Sequence, residues 1–248
     1  MSDNPYAAPQ FPGDLPPTQG TMHGPPAGWD ASEVIGIAWE IFKRHWAVLF
    51  GAAFLVSVIA AIPGYVTSAV QAALELEPGT PEYAGLQVVG SVFNNVVALF
   101  FSVGQIRLYL QAARGQTPEF GVLFSGMDRF GSVLLAGFVG GILILLGMVL
   151  LIVPGIILSC GLFVASYFVV DHGEGGIDAL KKSWEVTNGH KTNIFVFSLL
   201  SGLVVLAGCF ACFVGIFAGE AVVGVATAII FLRLTGEQTR APAVWGAE

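Results

Sequence analysis

Charge is scarce in this chain. Only 11% of its 248 residues are Asp, Glu, Lys or Arg, against about 25% in a soluble globular protein. That is too little to clothe a chain of this length in a water-facing surface, so a soluble globular fold is excluded. Cysteine is scarce too. Cys160, Cys209 and Cys212 all lie in apolar stretches, which implies no disulfide framework. Cys209 and Cys212 form a C-x-x-C, but a hydrocarbon setting disfavours the thiolate that redox or zinc chemistry requires. With no second pair and no nearby His they read as packing residues. A nucleophile elbow, a P-loop, H-E-x-x-H and a paired-carboxylate site are all missing. No catalytic residue, metal ligand or cofactor is therefore expected, and the chain does not read as an enzyme. Its few basic residues are too dispersed for a nucleic-acid surface.

What is present is apolar sequence: 55% hydrophobic residues and a mean hydropathy of +0.77. The longest run, residues 130–170, contains no charge at all. As one α-helix it would reach roughly 60 Å, twice the ~30 Å hydrocarbon core, so it must double back. Val153-Pro154-Gly155 is its strongest breaker. The expected hairpin runs out over 130–151 and back over 156–170, with Pro154 and Gly155 at the turn. A first span is expected over 46–66, with Pro63-Gly64 near its far end, and a second over 85–110. The block 194–234 must also be a hairpin, with Gly215 and Gly219 as its turn region.

Three short segments are amphipathic. In 30–46, Asp30 and Glu33 form a capping-box pattern, while Val34, Ile35, Ala38, Trp39, Ile41, Phe42 and Trp46 follow one helical face. Glu40 and Arg44 are spaced for an i,i+4 pair. Residues 114–129 form a second such element. In 175–190, Ile177, Leu180 and Trp184 share a stripe, with Asp178–Lys182 and Lys181–Glu185 spaced to pair. Trp39, Glu40, Trp184 and Glu185 are the interfacial candidates. Ala38-Trp39-Glu40-Ile41 and Ser183-Trp184-Glu185-Val186 correspond at an offset of 145, and Gly126-Met127-Asp128 falls at an offset of 88. The expected fold is all-α: six transmembrane helices as three hairpins, each preceded by a short amphipathic interfacial helix and repeated in parallel.

Residues 1–29 read as a disordered Pro-rich cytoplasmic tail, without the basic and apolar regions of a signal peptide. The six-span domain covers 30–235, and 236–248 reads as a short cytoplasmic tail. With six spans, all ten Lys and Arg fall on one side, while the loop after the first span holds only Glu75, Glu77 and Glu82. The positive-inside rule then puts both termini in the cytoplasm of an inner-membrane protein. Within or near the spans, Asn94 and Asn95 need partners on neighbouring helices. Arg107 is placed to snorkel to the interface. Glu220, with no basic partner on its side, is expected to face water. Asp171, His172 and Glu174 read as a charged loop end rather than a metal site. Gly137-x-x-x-Gly141 and Gly215-x-x-x-Gly219 are small-xxx-small patterns that let helices approach closely.

Leu151-Ile152-Val153-Pro154-Gly155-Ile156-Ile157-Leu158, then Val169-Val170-Asp171, then the run from Ala179 to His190 containing Lys181-Lys182-Ser183-Trp184-Glu185, resembles a signature of bacterial six-span proteins of the YciC-like group. It is also similar to the membrane domain attached to some glycerophosphodiester phosphodiesterases. The resemblance implies a bundle of inner-membrane helices and no phosphodiesterase chemistry, since the soluble catalytic barrel has no counterpart. The expected role is non-enzymatic: organising the membrane or envelope, or scaffolding a partner. Its contacts would be membrane lipids and a protein held through the tail or the amphipathic helices. The alternative is a transporter or channel for a small solute or lipid.

Overall fold

A computed structural model describes residues 29–210 and 214–237, and among them every regular element is helical. The helices are α1 (Ala31–Arg44), α2 (Trp46–Ala73), α3 (Pro81–Ala113), α4 (Phe130–Leu150), α5 (Ile152–Gly161), α6 (Ala165–Tyr167), α7 (Gly176–Val186), α8 (Lys191–Phe210) and α9 (Val214–Thr235). Six stretches are long and apolar enough to cross a membrane: α2, α3, α4, Ile152–His172, α8 and Gly215–Thr235. The chain is thus an all-helical, multi-pass membrane protein. Expectations for the 1–28 tail, Cys212, Arg240 and residues 238–248 lie outside the described residues.

Several expected boundaries move. α2 does not end at Pro63-Gly64 but continues through them to Ala73. The Thr67 hydroxyl donates to the Pro63 carbonyl at 2.8 Å, an i→i−4 bond in the turn that follows the proline. α3 starts at Pro81, whose ring suits the first helical position, behind Thr80, whose hydroxyl accepts from the Tyr83 N–H. In the 130–170 run the break is at Leu151, in extended conformation with φ −162 and ψ 141. Pro154 and Gly155 are not the turn. They lie in the first turn of α5, where a missing N–H has no helical acceptor to lose. Gly155 instead allows close approach, because a Cβ there would stand 2.5 Å from the Met148 side chain, and its Cα faces Gly147 at the same crossing.

Gly215 and Gly219 are likewise inside α9 rather than at a turn. They face α8: a Cβ on Gly208 would meet the Gly215 carbonyl at 2.3 Å, and one on Gly219 would lie 3.4 Å from Val204. This is the close approach that small-xxx-small spacing permits. Among the described residues nothing lies within 4 Å of where a Cβ on Gly137 or Gly141 would be. Residues 114–129 do not form an amphipathic α-helix. They fold as two 3-10 turns, Phe120–Phe124 and Gly126–Asp128, pressed on α3 at Gly104 and Phe100.

The two amphipathic helices pack against the long ones. α1 buries Val34, Ala38, Ile41 and Phe42 as its spacing requires, and Asp30 caps it by accepting from the Ser32 N–H and hydroxyl. Those bonds hold the Asp30 carboxyl below the usual carboxylate range. Glu40 pairs with Lys43 at 2.7 Å instead of Arg44. α7 is rotated from the expected stripe. Ile177 is exposed, and the buried seam is Ala179, Leu180, Ser183 and Thr187. Lys181 pairs with Asp178 and Lys182 with Glu174 rather than in the i,i+4 pairs expected.

The reason for that rotation is the carbonyl of Gly161. The fourth span breaks after α5, and this carbonyl accepts from Ser183 Oγ at 2.9 Å and Thr187 Oγ1 at 3.1 Å. Gly161 also lacks a Cβ where the Trp184 ring rests, 2.2 Å from where one would be. Replacing both Ser183 and Thr187 by Ala strands a buried acceptor, and is expected to cost about 1–3 kcal/mol, read as a lowered thermal midpoint of the detergent-solubilised protein.

Candidate functional site

The polar side chains gather in two places. The first is the end of the bundle where α3, the fourth span and α9 finish. Arg114, which follows α3, makes a two-pronged contact with Asp171 at 2.7 and 2.6 Å and reaches Glu237 at 2.8 Å. Its bonds to Asp171 push the guanidinium pKa further up, so it stays charged. His172 Nε2 lies 3.6 Å from Glu237. Asp171, His172 and Glu237 could geometrically surround a metal ion, their donor atoms lying within 4.8 Å of one another. A guanidinium already engages both carboxylates, however, so the chemistry is that of an ion pair. Glu174, expected in this cluster, turns to Lys182 instead.

Around this centre four more cations are tied down. Arg107 does not simply snorkel: it donates to the Ser125 carbonyl and hydroxyl at 2.6 and 2.8 Å and to Asp128 at 2.5 Å, clamping the 3-10 turns onto α3. Arg107 holds the Asp128 carboxyl below the usual range. Arg233 pairs with Glu33 at 2.8 Å, joining α9 to α1. Arg129 donates to the carbonyl of Gly173, which has φ +73 and leaves room for the guanidinium only because it carries no Cβ. Lys191 stands 3.3 Å over the Trp184 ring. Trp39 and Trp184 stay exposed on α1 and α7, as do Glu40 and Glu185.

The second place is inside the spans. Asn94 Nδ2 donates to the Ala60 carbonyl at 2.7 Å, holding α3 to α2. Asn95 bonds back to Ser91 within its own helix. The two neighbours thus do not share a site. Glu220 is half-buried on α9 and does not simply face water: Ser57 Oγ of α2 lies 3.4 Å from its Oε2. On α3, the buried Gln105 Nε2 makes no hydrogen bond among the described residues. Tyr109 packs its ring on Gly224 and leaves a buried hydroxyl without a partner among the described residues. Ser57, Gln105 and Tyr109 were not legible as members of a site. The available signal was paired spacing, Gln105/Tyr109 on one helix against Glu220/Gly224 on the other.

Arg114→Lys keeps the charge but loses the planar two-pronged contact, and is expected to destabilise the folded protein by about 1–2 kcal/mol in detergent unfolding. Asp128 contributes stability that is full above its ordinary pKa of 3.8 and declines as pH falls toward the lowered value. Asp128→Asn should therefore flatten the acid limb of the stability profile.

No curated protein and no solved structure matches the chain. Residues 119–243, half of the sequence, match a family described as a domain of unknown function, DUF7847. The match begins just before the 3-10 turns and takes in α4 to α9, and on this extent the chain belongs to the DUF7847 family.

Proposed function

We propose that this chain is a non-enzymatic inner-membrane protein that organises the envelope or holds a partner, with α1 and α7 as its working surfaces. One observation carries the reading: the two amphipathic helices turn matching faces outward. Ala38 and Ser183 are buried at corresponding positions, while Trp39, Glu40 and Glu185 are exposed beside them and Trp184, its ring set between Gly161 and Lys191, keeps 37% exposure. Tryptophan combines a large apolar face with a polar edge, which suits either a headgroup layer or a protein contact. Spans α2 with α3, α4 with Ile152–His172, and α8 with α9 would form three out-and-back pairs behind α1, residues 114–129 and α7. This is the repeat suggested by the offsets of 145 and 88, and the arrangement implied by the YciC-like resemblance. Clustering of Arg107, Arg114, Arg129 and Arg233 at one end, opposite Glu75, Glu77 and Glu82, supports a cytoplasmic placement of that end.

The role of transporter or channel is favoured by one feature, the polar group around Glu220. It loses the support of Asn94 and Asn95, whose amides bond to backbone carbonyls. Partners captured from native membranes discriminate the readings. Trp39→Ala with Trp184→Ala is expected to lose proteins that Asn94→Ala retains. Unchanged partners in the tryptophan variant would reject the reading. Reporters placed after Glu248 and near Pro78 are expected on opposite sides of the membrane, and both on one side would reject the six-span topology.

A further inference from the structure

A groove of about 250 Å³ lies between α5 and α8. Val153, Ile156, Ile157 and Cys160 of α5 form one wall and Phe195 of α8 the other, with Lys191 and Thr192 of the first turn of α8 as its polar lining. Val153, Ile157 and Phe195 are exposed, so the groove opens outward from the bundle. Both sides belong to stretches long and apolar enough to cross a membrane, Ile152–His172 and Lys191–Phe210. What lies against such a surface in a bilayer is lipid. From Val153 to Cys160 the α5 wall covers two turns, roughly 10 Å at about 1.5 Å per residue.

Lys191 sets this groove apart from the rest of the outward-facing apolar surface. Its ammonium stands 3.3 Å over the Trp184 ring, and among the described residues no Asp or Glu comes within salt-bridge distance of it. Arg107, Arg114, Lys182 and Arg233, by contrast, each hold a carboxylate. A ring face attracts a cation through its quadrupole but leaves the charge uncompensated. Trp184 is itself fixed on Gly161, where a Cβ would stand 2.2 Å from the ring. Lys191 is half-buried, so its charge is presented at a set place rather than on a freely swinging side chain.

An occupant of this groove has to match both parts. An acyl chain suits the walls, and a phosphate oxygen beside Lys191 supplies the missing negative charge. A free phosphate satisfies the cation alone, and an apolar helix the walls alone. A zwitterionic phospholipid carries its own ammonium beside its phosphate, whereas a lipid of net negative charge leaves the phosphate to a basic pocket on the protein. We propose that the groove binds one anionic phospholipid, with an acyl chain between α5 and α8 and its phosphate on Lys191 and the Thr192 hydroxyl. The site does not rest on the partner-holding role proposed above, and its test involves no protein partner.

The test is thermal unfolding of the full-length, delipidated protein in a non-ionic detergent at constant ionic strength, titrated with phosphatidylglycerol or with phosphatidylcholine of the same acyl chains. Phosphatidylglycerol is expected to raise Tm saturably, because a ligand of the native state stabilises by mass action. Phosphatidylcholine is expected to bind about tenfold more weakly, and glycerol 3-phosphate, the anion without chains, to give no rise. Lys191→Gln should weaken the apparent affinity for phosphatidylglycerol about tenfold, roughly 1.4 kcal/mol. Ile157→Trp, which fills the groove and keeps the charge, should weaken it at least as much. If Lys191→Gln does not purify as a folded protein, the lipid comparison and Ile157→Trp decide. Equal responses to the two lipids would overturn the proposal, as would a full phosphatidylglycerol response in either variant or an equal rise with glycerol 3-phosphate. A dimer in lipid-free detergent that Ile157→Trp splits would put a second copy in the groove and overturn it too.

Discussion

In hydrocarbon no water stands by to complete a broken hydrogen-bond ladder, so every interruption of a span must be closed by the protein itself. The fourth span is interrupted after Gly161, and the whole position of α7 follows from that. Its buried seam is set less by hydrophobicity than by two hydroxyls that must reach one carbonyl. Once Ser183 and Thr187 point inward, Lys181, Lys182 and Glu185 point outward, and Trp184 comes to lie on Gly161 beneath Lys191.

Electrostatics organises one end of the molecule in the same spirit. Arg114 ties the end of α3 to the fourth span through Asp171 and to the residues after α9 through Glu237. Arg233 adds α1 through Glu33, and Arg107 and Arg129 fix the connection between α3 and α4. These pairs are partly open to solvent, so individually each is worth little. Their effect is geometric: they bring into register helix ends far apart in sequence, whose apolar bodies offer few directional contacts of their own.

The apolar blocks were legible because length alone forces a charge-free run to turn back in a membrane, and the buried face of α1 followed from 3.6-residue spacing. Turn positions were not. Pro154, Gly215 and Gly219 look like breakers when read locally, yet proline is harmless in a first helical turn and glycine serves a crossing as well as a bend. The seam of α7 was hidden for a similar reason. Periodicity finds apolar residues, and this seam is partly Ser and Thr, chosen to serve a carbonyl on another helix. Of the two asparagines expected to need a neighbouring helix, Asn94 bonds to α2 and Asn95 bonds within α3. The Glu220 cluster depends on which faces of α2, α3 and α9 meet, and no spacing within one helix reveals that.

The helices also differ in length. α2 has 28 residues and α4 has 21, or roughly 42 and 32 Å at about 1.5 Å per residue. No single slab of lipid fits both upright. The longer helix must lean, or the bilayer must thicken beside it and thin toward α4, which makes the protein a source of hydrophobic mismatch and sensitive to the acyl-chain length of the lipid around it.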